Sequence, residues 1–173
     1  LQARAGVAAV ARLDEHLLVP AVGRYTGFLY EASASAVRAA VPTGQRFAIL
    51  SGGYGLVHPY EPIGIYERAF HPGDWPAGLL ETALIEIAQR CQLTNVVAFC
   101  SRTTSYATLL RQTPWPRNGI RAYLVTPDAP SAGGSQRQVP LATGEALATY
   151  VQGGLTTGWT SRTGLPLRVE ALR

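Results

Sequence analysis

FAILSGGYGLVHPYEPIGIYE, residues 47–67, opens as a strand and then breaks the pattern of one. Phe47, Ala48, Ile49 and Leu50 form a continuous apolar run, which reads with Arg46 and Ser51 as a short buried strand over 46–51. Ser51, Gly52, Gly53, Tyr54 and Gly55 follow at once, then His58, two prolines and two further tyrosines. In an open α/β sheet, ligands bind beyond the carboxyl ends of the strands, and glycines there let the backbone approach a ligand closely. The stretch therefore reads as a strand running out into a binding loop.

Two more apolar runs extend that reading. NVVAFC at 95–100 and IRAYLVT at 120–126 lack the alternation of a one-sided antiparallel strand. Helical spacing occupies the intervals, over 25–40, 76–91, 103–111 and 142–152, with Pro76 in a first turn and Arg90 in a last one. Continuous strands separated by helices predict one three-layer α/β domain over 1–173, its largely parallel sheet covered by helices on both faces. Residues 4–18 carry helical spacing, so 1–19 reads as an N-terminal helical segment ended by Pro20. The stretch 128–140 reads as a polar loop and 153–173 as an irregular tail.

Composition narrows the class further. Hydrophobic residues are 47% of the 173 and charged residues 15%, which is a globular balance. Net charge is +4, and all 15 basic residues are arginine. Guanidinium binds phosphate and carboxylate bidentately, although a GC-rich coding sequence also favours arginine over lysine. Cys91 and Cys100 form no CxxC pair, which fits a reducing, cytoplasmic setting and argues against a structural zinc site. No apolar run reaches the roughly 18 residues of a membrane span. The chain shows no signal peptide and does not start with methionine, so residues upstream of Leu1 are expected.

The glycine loop is not a standard nucleotide cradle. A Walker loop needs a lysine and the chain has none, while GGYGLVHPYEP runs into prolines instead of opening a helix as a dinucleotide fingerprint does. No motif requires a cofactor, and three scattered histidines do not assemble a metal site. The residues placed at the loop are Ser51, Gly52, Gly53, Tyr54 and Gly55, with Tyr25, Tyr66, Ser101 and Tyr106 converging on it. If strands 46–51 and 95–100 are neighbours, Ser51 and Ser101 share one crevice. Ser51 and His58 are the catalytic candidates, since serine offers a hydroxyl and histidine moves protons near neutral pH. Tyrosines stack on bases, but they also pack loops onto cores, and both readings stand for Tyr54. His58 precedes a proline and equally suits a turn. For His71 and Asp74 the solvated turn is the better reading, with Asp74 capping the helix near Pro76. Glu67 beside Arg68 reads as a surface charge pair, and Cys100 as a buried thiol.

SGGYGLVHPYEPIGIYE resembles the Ser-x-x-Tyr/His-Gly-Leu-x-x-Pro-x-x-x-Ile-x-x-Tyr signature of the YaaA-like superfamily. GRYTGFLY at 23–30 is similar to that family's Leu-Tyr-Thr-x-x-Leu-Phe segment, and FCSRTTSY resembles its strand followed by Gly-x-x-Tyr. The family's opening strand, ending in Cys-Gly or Ser-Pro followed by lysine, has no counterpart before Pro20. It lies upstream of Leu1, or the local site has diverged. The resemblance implies an α/β protein whose partner is DNA or RNA, or a nucleotide or nucleobase, with DNA modification and oxidative stress as settings. Action on a base or its N-glycosidic bond is one expectation. A non-catalytic DNA-binding stress protein and a docking domain of a larger modification enzyme are the alternatives.

Overall fold

The computed structural model describes residues 2–129 and 135–173. In chain order it contains α1 (Gln2–Ala11), β1 (Asp14–Pro20), α2 (Ala21–Arg24), α3 (Phe28–Ala40), β2 (Ile49–Ser51), β3 (Gly55–Val57) and β4 (Pro62–Ile65). There follow α4 (Leu79–Arg90), β5 (Asn95–Phe99), α5 (Ser105–Gln112), β6 (Arg121–Pro127), α6 (Ser135–Val151) and β7 (Leu167–Leu172). The fold is mixed α/β, but it is not built on a largely parallel sheet.

Among the described residues, three small sheets replace the expected one. β5 and β6 pair in parallel from Asn95↔Arg121 to Phe99↔Val125, and β7 adds to β6 antiparallel from Ala122↔Leu172 to Pro127↔Leu167. β2 belongs elsewhere: it forms an antiparallel hairpin with β3, while β1 pairs antiparallel with β4. The first apolar run is thus one arm of a hairpin. Ser51 pairs with Gly55, and Gly55 takes the left-handed φ of +72° that turns the chain back.

Two further expectations fall at helix ends. α1 stops at Ala11 because Arg12 adopts φ +50° and the Leu13 N–H bonds the Ala8 carbonyl at 3.2 Å, a Schellman stop made without glycine. Residues 14–19, placed in the N-terminal helical segment that Pro20 was to end, belong instead to the strand Asp14–Pro20. α4 ends the same way, with Gln92 at φ +55° and Leu93 N–H on Ala88 O at 2.8 Å. The region 128–140 is not wholly a loop, since α6 starts at Ser135 and holds Pro140 inside it; residues 130–134 lie outside the described residues. The tail is not wholly irregular either. β7 is an edge strand in which exposure of both Arg168 and Val169 conceals the apolar pattern.

The largest core lies on one face of the β5–β6–β7 sheet. Ala122 and Leu124 of β6 and Leu172 of β7 pack there on Ile85 and Ala88 of α4, Ala107 and Leu110 of α5, and Trp115. α6 contacts β5 and β6 and packs lengthwise on α3. Gly144 sits at that crossing, where a Cβ would come within 2.2 Å of the Leu29 carbonyl oxygen.

One ion pair ties α5 to β7 and another braces the connection between β4 and α4. Arg111 of α5 grips Glu170 of β7 with N–O distances of 2.7 and 2.8 Å, and Arg68 grips Asp74 at 2.8 and 2.9 Å. Asp74 is therefore a partner of Arg68, not the cap of α4, whose N-cap position is Gly78; Arg68 likewise turns to Asp74 instead of Glu67. The hydrogen bonds from Arg68 and Arg111 hold both carboxyls below their ordinary pKa values. A depressed folded pKa gives stability that is present above the unfolded value and lost as pH falls through the folded one. Unfolding midpoints in urea should therefore drop as pH falls below about 4.3 for Glu170 and about 3.9 for Asp74. Glu170→Gln and Asp74→Asn should each flatten that acid limb, and an unchanged limb in both variants would contradict the assignment.

Candidate functional site

Ser51 ends β2 with its side chain buried, and it organises the loop that follows. Its Oγ accepts the Tyr54 N–H at 3.1 Å and donates to the Tyr66 hydroxyl at 2.8 Å. Tyr66 in turn donates to the Tyr25 hydroxyl at 3.0 Å. Tyr25 stacks on Tyr30 with centroids 4.9 Å apart, and Tyr66 meets Tyr54 edge-on at 5.8 Å. Burial is the main cause that pushes the phenols of Tyr25 and Tyr30 well above their ordinary value, so both stay protonated at neutral pH. Ser51, Tyr66 and Tyr25 are thus linked hydroxyl to hydroxyl, with Tyr54 joined to Ser51 through its backbone N–H.

The glycines do not serve an open ligand face. Residues 51–55 are all buried. A Cβ on Gly52 would lie 2.1 Å from the Arg68 carbonyl oxygen, and one on Gly53 2.8 Å from the Tyr66 ring. One on Gly55 would lie 2.9 Å from Trp75. The backbone freedom seen in SGGYG is used for close packing of the hairpin on residues 66–69 and on Trp75.

The other candidates separate. Ser101 follows β5, and its carbonyl accepts the Thr104 N–H and hydroxyl at the start of α5. Because β2 and β5 share no sheet, the adjacency that was to bring Ser101 beside Ser51 is absent. Tyr106 stacks on Phe70 at 4.6 Å, its phenol raised to about 12 by burial with added repulsion from Tyr66 and Cys100, and so borders the cluster. His58 lies in an exposed turn where its Nδ1 accepts the Tyr60 N–H at 3.2 Å. Tyr60 packs as a tie to α3, donating to the Arg38 carbonyl at 2.9 Å. Burial pushes the Cys100 thiol up to about 11, so it rests as the thiol at neutral pH. Among the hydrogen bonds of the described residues Ser51 meets no histidine or carboxylate; it joins the Tyr54 backbone to the Tyr66 hydroxyl.

The side of Tyr54 away from Ser51 borders an open cleft of about 860 Å³, lined by Arg4, Leu13, Asp14, Glu15, His16 and Glu61 among others. The Tyr54 hydroxyl accepts the Gly64 N–H at 2.9 Å and donates to Glu15 at 3.0 Å. Arg4 pairs with Glu61 and donates to the Leu56 carbonyl at 2.8 Å, its guanidinium 6.0 Å from the Tyr54 ring centre. Tyr54 is only 5% exposed, so its ring offers no free stacking face. Arg4 and Glu15 were not legible as site residues. They lie on α1 and β1: Arg4 is held beside Tyr54 by Leu56 and Glu61, and the β1–β4 pairing brings Glu15 there. Among the described residues no group of three His, Cys, Asp or Glu side chains is placed to hold a metal, and no helix is long and apolar enough to cross a membrane.

Comparison with known proteins finds no match: no family model, no curated protein and no solved structure is similar to the chain. The reading of the site therefore rests on its own geometry.

Proposed function

We propose that the protein binds a nucleobase-type heterocycle, as a free base, a nucleoside or an unstacked base of a nucleic acid, in the cleft bordered by Tyr54. The mixed rim carries this reading. Arg4 and His16 supply donors, while Asp14, Glu15 and Glu61 supply acceptors around one opening, as the mixed edge of a base requires. Three carboxylates against one arginine, itself paired with Glu61, disfavour a phosphate in the cleft itself. The Ser51–Tyr66–Tyr25 chain fixes the wall behind Tyr54, and the role is recognition by hydrogen bonds at the rim.

Titration of isotope-labelled protein with the common nucleosides and free bases tests this. The amide resonances of His16, Tyr54 and Glu61 should shift on binding. Glu15→Ala should weaken the affinity tenfold or more, since a hydrogen bond to a charged group contributes about 1.5–3 kcal/mol. Tyr54→Phe keeps the wall and should bind within about threefold of wild type, at a stability cost of about 1 kcal/mol. Unshifted resonances with every nucleoside and base would remove the proposal.

A further inference from the structure

We propose a second site, specific for a phosphate oxyanion, at the carboxyl end of the β5–β6 pair, formed by Arg102 and Arg168. Arg102 leaves β5 in the Ser101–Thr104 connection, and Arg168 lies on β7 opposite Thr126 of β6. Arg111 binds both neighbourhoods together: its Nη1 donates to the Arg102 carbonyl at 2.9 Å while its other nitrogens grip Glu170. Arg168 and Glu170 are two residues apart on one strand and so face the same side. Arg168 and Arg102 both lie near enough to add their charge to the field at Glu170, but Arg111 alone forms an ion pair with it.

Arg102 and Arg168 are exposed, and neither has an ion-pair partner among the described residues. Asp128 follows β6 at the same end of the sheet but pairs with neither of them. β6 lies between the two arginines, about 10 Å of sheet that two long side chains can close over a single ligand. Ser101 and Thr103 adjoin Arg102 in the chain, and Thr103 is exposed. The end of parallel strands is where α/β sheets present ligands, and guanidinium forks match phosphate oxygens bidentately. The phosphate comes from a nucleic-acid strand or from a small phosphate compound. The site shares no residue with the Tyr54 cleft, so failure of nucleoside binding there leaves it unaffected.

The test compares wild type with Arg102→Ala/Arg168→Ala and with Arg90→Ala/Arg117→Ala. The control pair removes the same charge at the opposite end of the sheet, before β5 and β6. Fluorescence anisotropy on a labelled single-stranded oligonucleotide is followed across a salt series. The first variant should bind at least tenfold more weakly at low salt, and its slope of log affinity against log salt should fall by about 1.4, for two lost contacts at about 0.7 each. The control should keep the wild-type slope. A second arm titrates inorganic phosphate into labelled protein and follows the Ser101–Ser105 amides and the Arg102 and Arg168 side chains. Phosphate shifts that vanish in the first variant, without oligonucleotide binding, assign the site to a small phosphate compound. Equal losses in both variants would reduce the effect to net charge and overturn the proposal, as would absence of both oligonucleotide and phosphate binding at low salt.

Discussion

Gly52→Ala is expected to destabilise the protein by about 3 kcal/mol or more, because the new methyl group meets backbone and not a movable side chain. The built Cβ lies 2.1 Å from the Arg68 carbonyl oxygen and 3.0 Å from the carbonyl carbon of Ala69. Relief requires the β2–β3 hairpin and the 66–69 segment to separate. That movement also pulls Tyr66 from Ser51 and loosens the Arg68–Asp74 clamp. Gly73→Ala is the control, since its Cβ would meet nothing within 4 Å, and it should change stability by less than about 0.5 kcal/mol. Urea unfolding of the two variants measures the difference. Full stability of Gly52→Ala together with lost ligand binding would return the glycine to a ligand-facing role.

Trp115→Ala should cost about 3–5 kcal/mol, as complete removal of a buried indole does elsewhere. Trp115 is 1% exposed at the centre of the core shared by α4, α5, β6 and β7. Its Nε1–H donates to the Leu110 carbonyl near the end of α5 at 2.8 Å, so truncation leaves both a void and an unpaired carbonyl. Trp115→Phe separates the two effects: most of the volume returns, the hydrogen bond does not, and about 1–2 kcal/mol of loss should remain. A Trp115→Ala midpoint indistinguishable from wild type would mean that this cluster does not hold the sheet to its helices.

The parallel β5–β6 pair and the helices over 28–40, 79–90 and 105–112 were legible because each carries its own periodicity, and a crossover helix between two continuous apolar runs imposes parallel pairing. The tyrosine cluster was legible in part: Tyr25, Ser51, Tyr54 and Tyr66 do meet, but Tyr30, in the same GRYTGFLY segment, was passed over. Arg4 and Glu15 carry no local signal of their neighbours.

What the chain determined by itself is therefore the set of elements whose burial pattern is local: the amphipathic helices, the two continuous strands and the Asn118–Gly119 turn that leads into the second of them. Tertiary structure decided the partners. FAILSGGYG suits a strand leaving a sheet as well as the first arm of a hairpin, because both bury the same apolar run. The choice rests on Leu56 and Val57 returning to pair with Leu50 and Ile49. DEHLLVP fits helical spacing on its face, and it becomes a strand because Arg12 ends α1 in a left-handed turn and β4 supplies the hydrogen bonds. Backbone pairing of this kind depends on residues roughly 45 positions away, and side-chain periodicity holds no record of them.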